Sequence, residues 1–371
     1  MARELFQSSE VFQQAFSRAL SHLDPETADQ IMQILYGDDA ARNEELHQTE
    51  FTQLSLFLIQ YALSALWNSL GIVPDYVTGH SIGEYAAACQ SGMLELRDAV
   101  RLVRLRGQLM GSTPVQGGMA MVQYPELQIR ALLEEKALSL SVAAVNSPDQ
   151  TVVSGTIEEL RVFEEMMLAR NIVFKKLAVS NAFHSSLMEP VLQQFQEAAE
   201  GISFHTARIP LISNIDGKPR HEISSSYLRD HLRSTVRFHD CMSYFAEEKV
   251  AIIEIGPGGL IKLARRHIQG DLVWGASLGR ESNDWDTLHQ SLVMLAGRGI
   301  EIDWQGYYSP LKPEYTGAPA YVFNRREYWM EEDRNAAVPE TEMTLSSNML
   351  GIMNHHLQTI NNQSEYMLKR G

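Results

Sequence analysis

Ten residues decide the fold of this chain: Tyr76-Val77-Thr78-Gly79-His80-Ser81-Ile82-Gly83-Glu84-Tyr85. A short apolar run, a Gly-x-Ser-x-Gly sequence and the alanines that follow predict a strand, a sharp turn and a helix, with Ser81 as a nucleophile on the turn. Gly79 and Gly83 are expected to leave room where strand and helix cross. The helix, predicted over about 82–89, would direct its N-terminal amides toward a developing oxyanion.

The composition is that of an ordinary globular protein and limits the classes of function. The chain has 371 residues, of which 44% are hydrophobic and 21% are charged. A formal net charge of -15 without a basic block argues against nucleic-acid binding. Cys89 and Cys241 fit no metal-ligand spacing, so we expect a reduced, cytoplasmic protein with no metal or resident cofactor. We also expect neither a signal peptide nor a membrane-spanning segment.

The order of predicted elements indicates an α/β fold, with an α/β-hydrolase-like body that contains a parallel sheet. Strong helical periodicity runs over 51–71, and a second helix is predicted over 96–110. From 119 to 177 the elements follow the order β-α-β-β-α-β, which favours an inserted ferredoxin-like subdomain. We expect the body to comprise 1–115 and 186–300 and the subdomain to comprise 116–185.

The remaining chain predicts the rest of the body, a linker and a tail. The body would contain a helix over 187–201, an edge-like strand over 210–213 and a strand over 250–255. Residues 301–331 are rich in turns and aromatic side chains, which is typical of a linker that wraps a domain surface. Residues 332–371 predict a polar linker and a docking helix, in which Leu350 and Leu357 share one heptad position.

A nucleophilic serine needs a general base, and His184 is the histidine best placed to serve Ser81. It lies in Asn181-Ala182-Phe183-His184-Ser185-Ser186, where the chain re-enters the body. A neutral imidazole there would take the proton of Ser81 and later return it to the leaving group. His80 adjoins the nucleophile, but we expect it to point away across the turn and to pack or hydrogen-bond near the site.

Arg106 is the arginine most suited to bind a substrate carboxylate. Leu105 and Leu109 flank it and Gly107 follows it, which favours an inward guanidinium that pairs with a carboxylate in bidentate fashion. Arg101 and Arg104 on the same predicted helix would be solvated.

Two other kinds of function remain open on these residues. A serine esterase would share the turn around Ser81 and would need its acid and base in the order Ser, Asp, His, for which Asp271 and His289 are available. A non-catalytic docking protein would use the same surface and the tail helix to bind a partner, without covalent chemistry at Ser81.

Four co-linear motifs resemble those of malonyl-CoA:acyl-carrier-protein transacylases, above all the acyltransferase domains of modular polyketide synthases. The likeness covers residues 1 to about 330, and 301–331 resembles the post-acyltransferase linker of multidomain synthases. The four motifs are Gly79-His80-Ser81-Ile82-Gly83-Glu84, Arg106-Gly107-Gln108-Leu109-Met110, Ala182-Phe183-His184-Ser185 and Glu254-Ile255-Gly256-Pro257-Gly258.

The resemblance implies a ping-pong acyl transfer in polyketide, peptide–polyketide or fatty-acid biosynthesis. Ser81, activated by His184, would attack the thioester of malonyl-CoA, and the phosphopantetheine thiol of an acyl carrier protein would then take the malonyl group. Arg106 would hold the malonyl carboxylate. The tail helix would contact other synthase subunits.

The resemblance also assigns the surroundings of the site. Gln53 would line the pocket, and a backbone carbonyl near Glu247 would orient the histidine. Phe183 would fill the space that an α-methyl group needs, so that the site selects malonyl over methylmalonyl units. Asn181 replaces the histidine more usual at its position.

Two further expectations concern the oxyanion and the carrier protein. The family begins with a strand and a Gly-Gln-Gly loop that supplies one oxyanion donor beside the amide of Ile82, and residues 1–6 resemble the segment immediately after that loop. The absence of that loop leads us to expect a misplaced start codon or a truncated gene. Losing one oxyanion donor costs about 10²–10³ in rate, so we expect slow turnover, and losing a central strand would expose apolar sheet edges, so we expect poor folding. An acidic carrier protein would need a basic patch on a helix predicted over 259–268, formed by Lys262, Arg265, Arg266 and His267.

Overall fold

The structure is a computed structural model that describes residues 1–37, 45–46, 48–113, 115–179, 181–246, 248–279 and 283–309, with the single positions 317, 355 and 358. The chain divides into two compact units, Met1–Glu314 and Tyr315–Gly371, and the helices and strands with described bounds lie in the first. Glu247, most of the linker predicted over 301–331 and nearly all of the tail predicted over 332–371 lie outside the described residues. Over the described ranges, no helix is long and apolar enough to cross a membrane.

Helices make up most of the body. The longest helix carries the predicted apolar face into the main core, where Phe57, Leu58 and Ala62 are fully buried. In chain order the helices are α1 (Arg3–Ser8), α2 (Glu10–Leu20), α3 (Pro25–Tyr36), α4 (Thr49–Ser69), α5 (Gly83–Ser91), α6 (Leu96–Gly111), α7 (Glu126–Glu135), α8 (Ile157–Ala169), α9 (Glu189–Glu200), α10 (Ser225–Arg233), α11 (Phe238–Ser243), α12 (Leu260–Ala264), α13 (Asp284–Gly297) and α14 (Trp304–Tyr308).

The sheets of the body are small, and each contains one parallel pair of short strands. Strand β1 (Val77–Thr78) runs parallel to β6 (Leu211–Ile212), and β6 pairs antiparallel with β7 (Pro219–Arg220). Strand β8 (Ala251–Glu254) runs parallel to β9 (Val273–Ala276) in a separate two-stranded sheet. The prediction of an edge-like strand over 210–213 was wrong, because β7 folds back on β6 and leaves it between two neighbours.

Residues 117–176 contain an antiparallel sheet of four strands. These are β2 (Gly117–Val122), β3 (Ser141–Ser147), β4 (Gln150–Thr156) and β5 (Phe174–Lys176), in the order β3-β4-β2-β5. Helices α7 and α8 bury Ile129, Leu133, Phe163 and Met167 in a separate small core with this sheet. The β-α-β-β-α-β order and this antiparallel arrangement are those of a ferredoxin-like unit.

Helices α10 and α11 were not predicted, and both contact the segment around Ser81, through Tyr227 with Glu84 and through Phe238 with His80. Helix α10 begins at Ser224, whose side chain accepts a hydrogen bond from the amide of Tyr227, and it buries Tyr227, Leu228, His231 and Leu232. Helix α11 buries Phe238, Cys241 and Met242. Polar residues interrupt both segments, so the apolar periodicity is short. Helix α12 has five residues, fewer than the 259–268 predicted.

Candidate active site

Ser81 lies on a strained turn between β1 and α5. Its φ angle is 52°, in the left-handed region that costs a residue with a Cβ about 1 kcal/mol or more. A Cβ on Gly79 would lie 2.1 Å from the amide nitrogen of Glu84, so only glycine fits there. Gly83 has a different role from the one predicted, since a Cβ there would meet only the Gln60 side chain, at an ordinary 3.5 Å.

His184 is the immediate partner of the Ser81 hydroxyl. Its Nε2 lies 2.7 Å from Ser81 Oγ, and the ring is buried. Burial lowers the pKa of His184 well below its ordinary value of 6.5, and the positive charge of Arg106 lowers it further. The imidazole is therefore neutral near pH 7 and can accept the hydroxyl proton.

The backbone of His184 is also strained. Its φ angle is 55°, in the same left-handed region as Ser81. The backbone of Ser234 raises the pKa of His184 slightly, against the effect of burial. Nδ1 nevertheless meets no hydrogen-bond partner among the described residues. Ser234 follows α10, whereas Glu247 lies outside the described residues, so the carbonyl expected near Glu247 stays a prediction.

Arg106 brings a buried cation to the same hydroxyl. Its side chain is 1% exposed, and Nη2 donates to Ser81 Oγ at 3.0 Å. Nη1 donates to Gln53 Oε1, and the guanidinium lies 5.7 Å from the ring centre of Tyr85. Burial lowers the pKa of Arg106, but an arginine stays protonated in proteins. No carboxylate pairs with it in the part of the chain that the structure describes.

Close packing of two helices sets the position of Arg106. A Cβ on Gly107 would lie 2.7 Å from Glu50 Cα, so glycine lets α6 approach α4. This approach places Arg106 against Gln53 on α4, whose own amide donates to the sulfur of Met110 at 3.5 Å. The Arg106–Gly107 pair therefore supplies both the cation and the contact that directs it inward.

A buried polar network behind Ser81 was not predicted. The amide of Ser81 donates to Asn214 Oδ1 at 2.8 Å, and Asn214 Nδ2 donates to the carbonyl of Gly79. The amide of Asn214 donates to Glu84 Oε2 at 2.7 Å, and the Tyr227 hydroxyl donates to Glu84 Oε1. The Glu84 carboxylate therefore fixes Asn214, and the Asn214 side chain in turn bonds to Gly79 and Ser81 in the turn.

The Glu84 side chain is buried. Burial raises the pKa of Glu84 from 4.5 to about 7. His231 Nε2 lies 3.6 Å from Glu84 Oε1, beyond hydrogen-bond distance, and neither His231 nitrogen has a partner among the described residues. Burial lowers the pKa of His231 to about 3, so the pair is not an ion pair near neutral pH.

The raised pKa of Glu84 predicts a loss of stability on raising the pH. The folded state holds the proton more tightly, so this contribution is complete below pH 4.5 and is lost as the pH rises through about 7. A shift of this size amounts to roughly 3 kcal/mol. Urea unfolding from pH 5 to 8 should show wild type losing most of that free energy relative to Glu84→Gln. The exposed Glu301→Gln is the matched control, and parallel curves for Glu84→Gln and wild type would contradict the prediction.

Three other residues predicted for the site are His80, Ile82 and Phe183. His80 Nε2 hydrogen-bonds to Asn146 Oδ1 at 2.9 Å, and its ring packs on Phe238 with centroids 5.4 Å apart. Ile82 caps the N-terminus of α5, and Phe183 packs half-buried between the two cores of the body.

Asn181 is joined to the scaffold. Its Oδ1 accepts a hydrogen bond from the Thr49 hydroxyl at 3.1 Å, and its Nδ2 donates to Thr113 at 3.2 Å. These contacts tie the segment before His184 to the start of α4 and to the residues after α6.

Asp271 and His289, considered as the acid and base of an esterase, have other partners than Ser81. Asp271 accepts a hydrogen bond from Arg298 at 2.6 Å, and His289 hydrogen-bonds to Tyr307 at 2.7 Å. Neither contacts Ser81. Of the predicted basic patch, Lys262, Arg265 and Arg266 are exposed, whereas His267 lies 3.2 Å from Asp149.

The fold and this geometry define an α/β protein with a serine nucleophile, a neutral histidine and a buried arginine. The model of the acyl transferase domain family matches residues 1–270, and the chain belongs to that family. Polyketide synthase GfsA of Streptomyces halstedii is 34% identical over 359 residues, which are 93% of this chain and 5% of that synthase. Mycoketide-CoA synthase of Mycobacterium tuberculosis is 34% identical over 332 residues, which are 88% of this chain and 8% of that synthase.

Solved structures give the same result. The acyltransferase domain from the second module of the salinomycin polyketide synthase superposes with a TM-score of 0.79 at 34% identity, over 87% of this chain and 76% of that one. The malonyl CoA-acyl carrier protein transacylase of Clostridium perfringens gives 0.72 at 25% identity, over 81% and 94%. These likenesses confirm the predicted fold class. The chain spans only a small part of the synthases that it matches.

Proposed function

We propose that this chain transfers a malonyl group from malonyl-CoA to the phosphopantetheine thiol of an acyl carrier protein. The observation that carries the proposal is Arg106, a buried cation whose Nη2 lies 3.0 Å from the nucleophilic oxygen. A substrate with a carboxylate two bonds from its thioester carbonyl would bring that carboxylate to this cation. An ester or a simple acyl thioester offers no such group.

Acylation would begin with His184 taking the proton of Ser81. The oxygen then attacks the thioester carbonyl, the carbon–sulfur bond breaks, and His184 returns the proton to the departing CoA thiolate. The first amides of α5, including that of Ile82, are proposed to face the developing oxyanion. A neutral, buried imidazole at 2.7 Å suits the first proton transfer.

Deacylation would run the same steps with a different thiol. The carrier protein's thiol loses its proton to His184 and attacks the malonyl-serine ester, and the proton returns to Ser81 as that ester breaks. No resident cofactor or metal is needed, because CoA and the phosphopantetheine arm are substrate and acceptor. Arg106 would retain the malonyl carboxylate between the two half-reactions, while Gln53 holds the guanidinium in place.

The polyketide setting and the partners belong to the proposal as well. The synthases named above are much longer chains. The Clostridium perfringens protein is a malonyl CoA-acyl carrier protein transacylase. The exposed Lys262, Arg265 and Arg266 offer positive charge to an acidic carrier protein on a chain that is otherwise strongly acidic.

Transfer to a purified holo acyl carrier protein tests the function directly. We expect malonyl-CoA to malonylate the carrier faster than acetyl-CoA acetylates it, with no transfer to the apo carrier. Release of free malonate at the same rate with and without the carrier would indicate a hydrolase instead.

Phe183 predicts the choice between malonyl and methylmalonyl units. Its half-buried ring precedes His184 in the chain and is proposed to fill the space that an α-methyl group would need. Phe183→Ala should raise the methylmalonyl-to-malonyl ratio of kcat/KM by about tenfold, since one methyl group is worth about 1–3 kcal/mol in such a pocket. Competition of the two CoA esters measures the ratio. Phe163→Ala, in the core of the ferredoxin-like unit, is a control for nonspecific loosening, and an unchanged ratio in Phe183→Ala would contradict the assignment.

A further inference from the structure

Asn214 lies directly behind the turn that carries Ser81. It follows β6, and β6 runs parallel to β1, which leads into that turn. The carboxyl ends of neighbouring parallel strands meet at one edge of a sheet, so a residue just after β6 comes beside the residues just after β1. Asn214 is 1% exposed, and water therefore does not compete for its polar groups.

Each polar group of Asn214 has a partner. The side-chain Oδ1 accepts a hydrogen bond from the amide of Ser81 at 2.8 Å, and Nδ2 donates to the carbonyl of Gly79. The backbone amide of Asn214 donates to Glu84 Oε2 at 2.7 Å, and its carbonyl accepts from the amide of Arg237, also at 2.7 Å. The backbone is thus fixed on both sides, and the short side chain bridges the turn.

The bridge across the turn needs one donor and one acceptor. It joins the carbonyl of Gly79 to the amide of Ser81, two residues further on, and a carboxamide offers both kinds of group. An apolar side chain offers neither. A carboxylate offers acceptors only, so one of its oxygens would face the carbonyl oxygen of Gly79. A protonated carboxylic acid has one acceptor and one O–H donor and can make the same bridge.

The strained backbone of Ser81 makes this bridge important. Its φ angle of 52° lies in the left-handed region, which a residue with a Cβ occupies only where its surroundings hold it there. In that conformation the hydroxyl lies 2.7 Å from His184 Nε2 and 3.0 Å from Arg106 Nη2. A turn released from the bridge would relax and carry the hydroxyl away from both partners. A displacement of about 1 Å at a reacting group lowers a rate about 10²-fold.

Glu84 and Tyr227 hold the segment around Asn214 from two helices. The Tyr227 hydroxyl donates to Glu84 Oε1 and lies 2.7 Å from Ser213 Oγ. The same Ser213 oxygen accepts a hydrogen bond from the amide of Ile215 at 3.1 Å. The residues on either side of Asn214 are thus bonded into a buried network that involves α5 and α10. The carboxamide is therefore oriented before any substrate arrives.

We infer that Asn214 is a positioning residue for the nucleophile, whose carboxamide holds the turn so that the Ser81 hydroxyl meets its two partners. Asn214 acts through the backbone of Ser81 and touches no reacting atom. The inference rests on the proposed function, since it needs Ser81 to be the nucleophile. It predicts a defect in the rate of acylation rather than in substrate binding, because the contact of Arg106 with Gln53 depends on the packing of α6 against α4.

The first test measures acylation of the full chain by malonyl-CoA in a single turnover, read by intact-protein mass spectrometry. Asn214→Leu should lower the limiting rate about 10²-fold and leave the malonyl-CoA concentration at half-maximal rate within about twofold of wild type. Ser291→Ala is the matched control. Ser291 is also buried, and its hydroxyl bonds to the backbone of Ala276 in β9, so this variant loses buried hydrogen bonds away from the turn and should keep the limiting rate. A folded Asn214→Leu protein with the wild-type limiting rate would overturn the inference.

Asn214→Asp gives a readout that a merely structural role would not move. Its carboxylate form lacks the donor to Gly79, whereas its protonated form restores both bonds. Burial favours the protonated form of a carboxyl group, so the limiting rate of this variant relative to wild type should rise about tenfold from pH 8 to pH 5.5. A ratio that stays flat over this range would overturn the inference.

The ratio to wild type at each pH removes the titration of groups that both proteins share. The ionisable groups around position 214 are Glu84 on α5, Tyr227 and His231 on α10, Asp240 and Cys241 on α11, Asp216 and Arg220 around β7, and His80 and His184 at the site.

Tyr227→Phe keeps the test decisive if circular dichroism shows that Asn214→Leu is unfolded. It removes only the hydroxyl that supports Glu84 and leaves Asn214 in place. Losing one hydrogen bond in this chain of contacts should lower the limiting rate about three- to tenfold, again without a change in half-saturation. An unchanged limiting rate would then overturn the inference.

A small alkyl fluorophosphonate separates failure of this inference from failure of the proposed function. The Ser81 oxygen attacks phosphorus, the phosphorus–fluorine bond breaks, fluoride leaves and His184 takes the hydroxyl proton, with no carboxylate or carrier protein involved. Slower phosphonylation of both Asn214 variants at pH 8, in a protein that transfers no malonyl group, would support the positioning role and overturn the proposed function. Equal phosphonylation of wild type and both variants, in a protein that does transfer malonyl, would overturn the positioning role alone. A wild type that forms neither adduct would overturn both.

Discussion

Replacing Ser81 with alanine is expected to abolish the malonyl adduct that intact-protein mass spectrometry should detect after brief incubation with malonyl-CoA. The Ser81 oxygen is within hydrogen-bond distance of both His184 Nε2 and Arg106 Nη2, and no second hydroxyl of the described residues takes its place in that cluster. Removing a nucleophile of this kind lowers the rate by on the order of 10⁴–10⁶-fold. Transfer to the carrier protein should fall by the same factor.

The matched control is Ser112→Ala, on an exposed serine whose hydroxyl bonds only to the carbonyl of Leu109 among the described residues. It should retain the adduct and the transfer rate. An adduct of equal amount on Ser81→Ala would place the acylated residue elsewhere. A folded wild-type protein that forms no adduct would contradict acyl transfer by this chain and would favour a docking role.

Local sequence patterns predicted the turn around Ser81 because its constraints are local. Gly79 is required by the backbone of Glu84, which lies five residues later in the first turn of α5. The order of strands and helices from 117 to 176 could also be predicted, because most of these elements repeat apolar residues at the spacing of a strand or a helix. Gly83 shows the limit of such reasoning, because its neighbour is the side chain of Gln60 on another helix.

Local sequence patterns could not predict the polar network behind the turn. Glu84 belongs to the quoted motif, but its partners Asn214 and Tyr227 are 130 and 143 residues away. A buried carboxylate leaves no periodic signal, and α10, which carries Tyr227 and His231, reads as a polar segment. The pairing of Ser81 with His184 spans 103 residues. The place of His184, where the chain re-enters the body, made it the leading candidate, and the family resemblance pointed to the same residue.

Replacing Arg106 with alanine is expected to remove the preference for a diacid. The malonyl-to-acetyl ratio of kcat/KM should fall by about 10²–10³, because truncating one partner of a buried, hydrogen-bonded charge pair costs 2–5 kcal/mol. The ratio is the informative quantity, since Arg106 also donates to Ser81 and its loss affects every substrate. Arg106→Lys should keep part of the preference, because an ammonium holds the charge but not the two-pronged geometry.

Arg104→Ala is the control for this change. Arg104 lies on the same helix but pairs with Asp24 at the surface, so its removal should leave the ratio unchanged. An Arg106→Ala protein that still prefers malonyl-CoA would show that another group binds the carboxylate. Gln53 would then be the first to examine, because it is the one described side chain besides Ser81 to which the guanidinium donates a hydrogen bond.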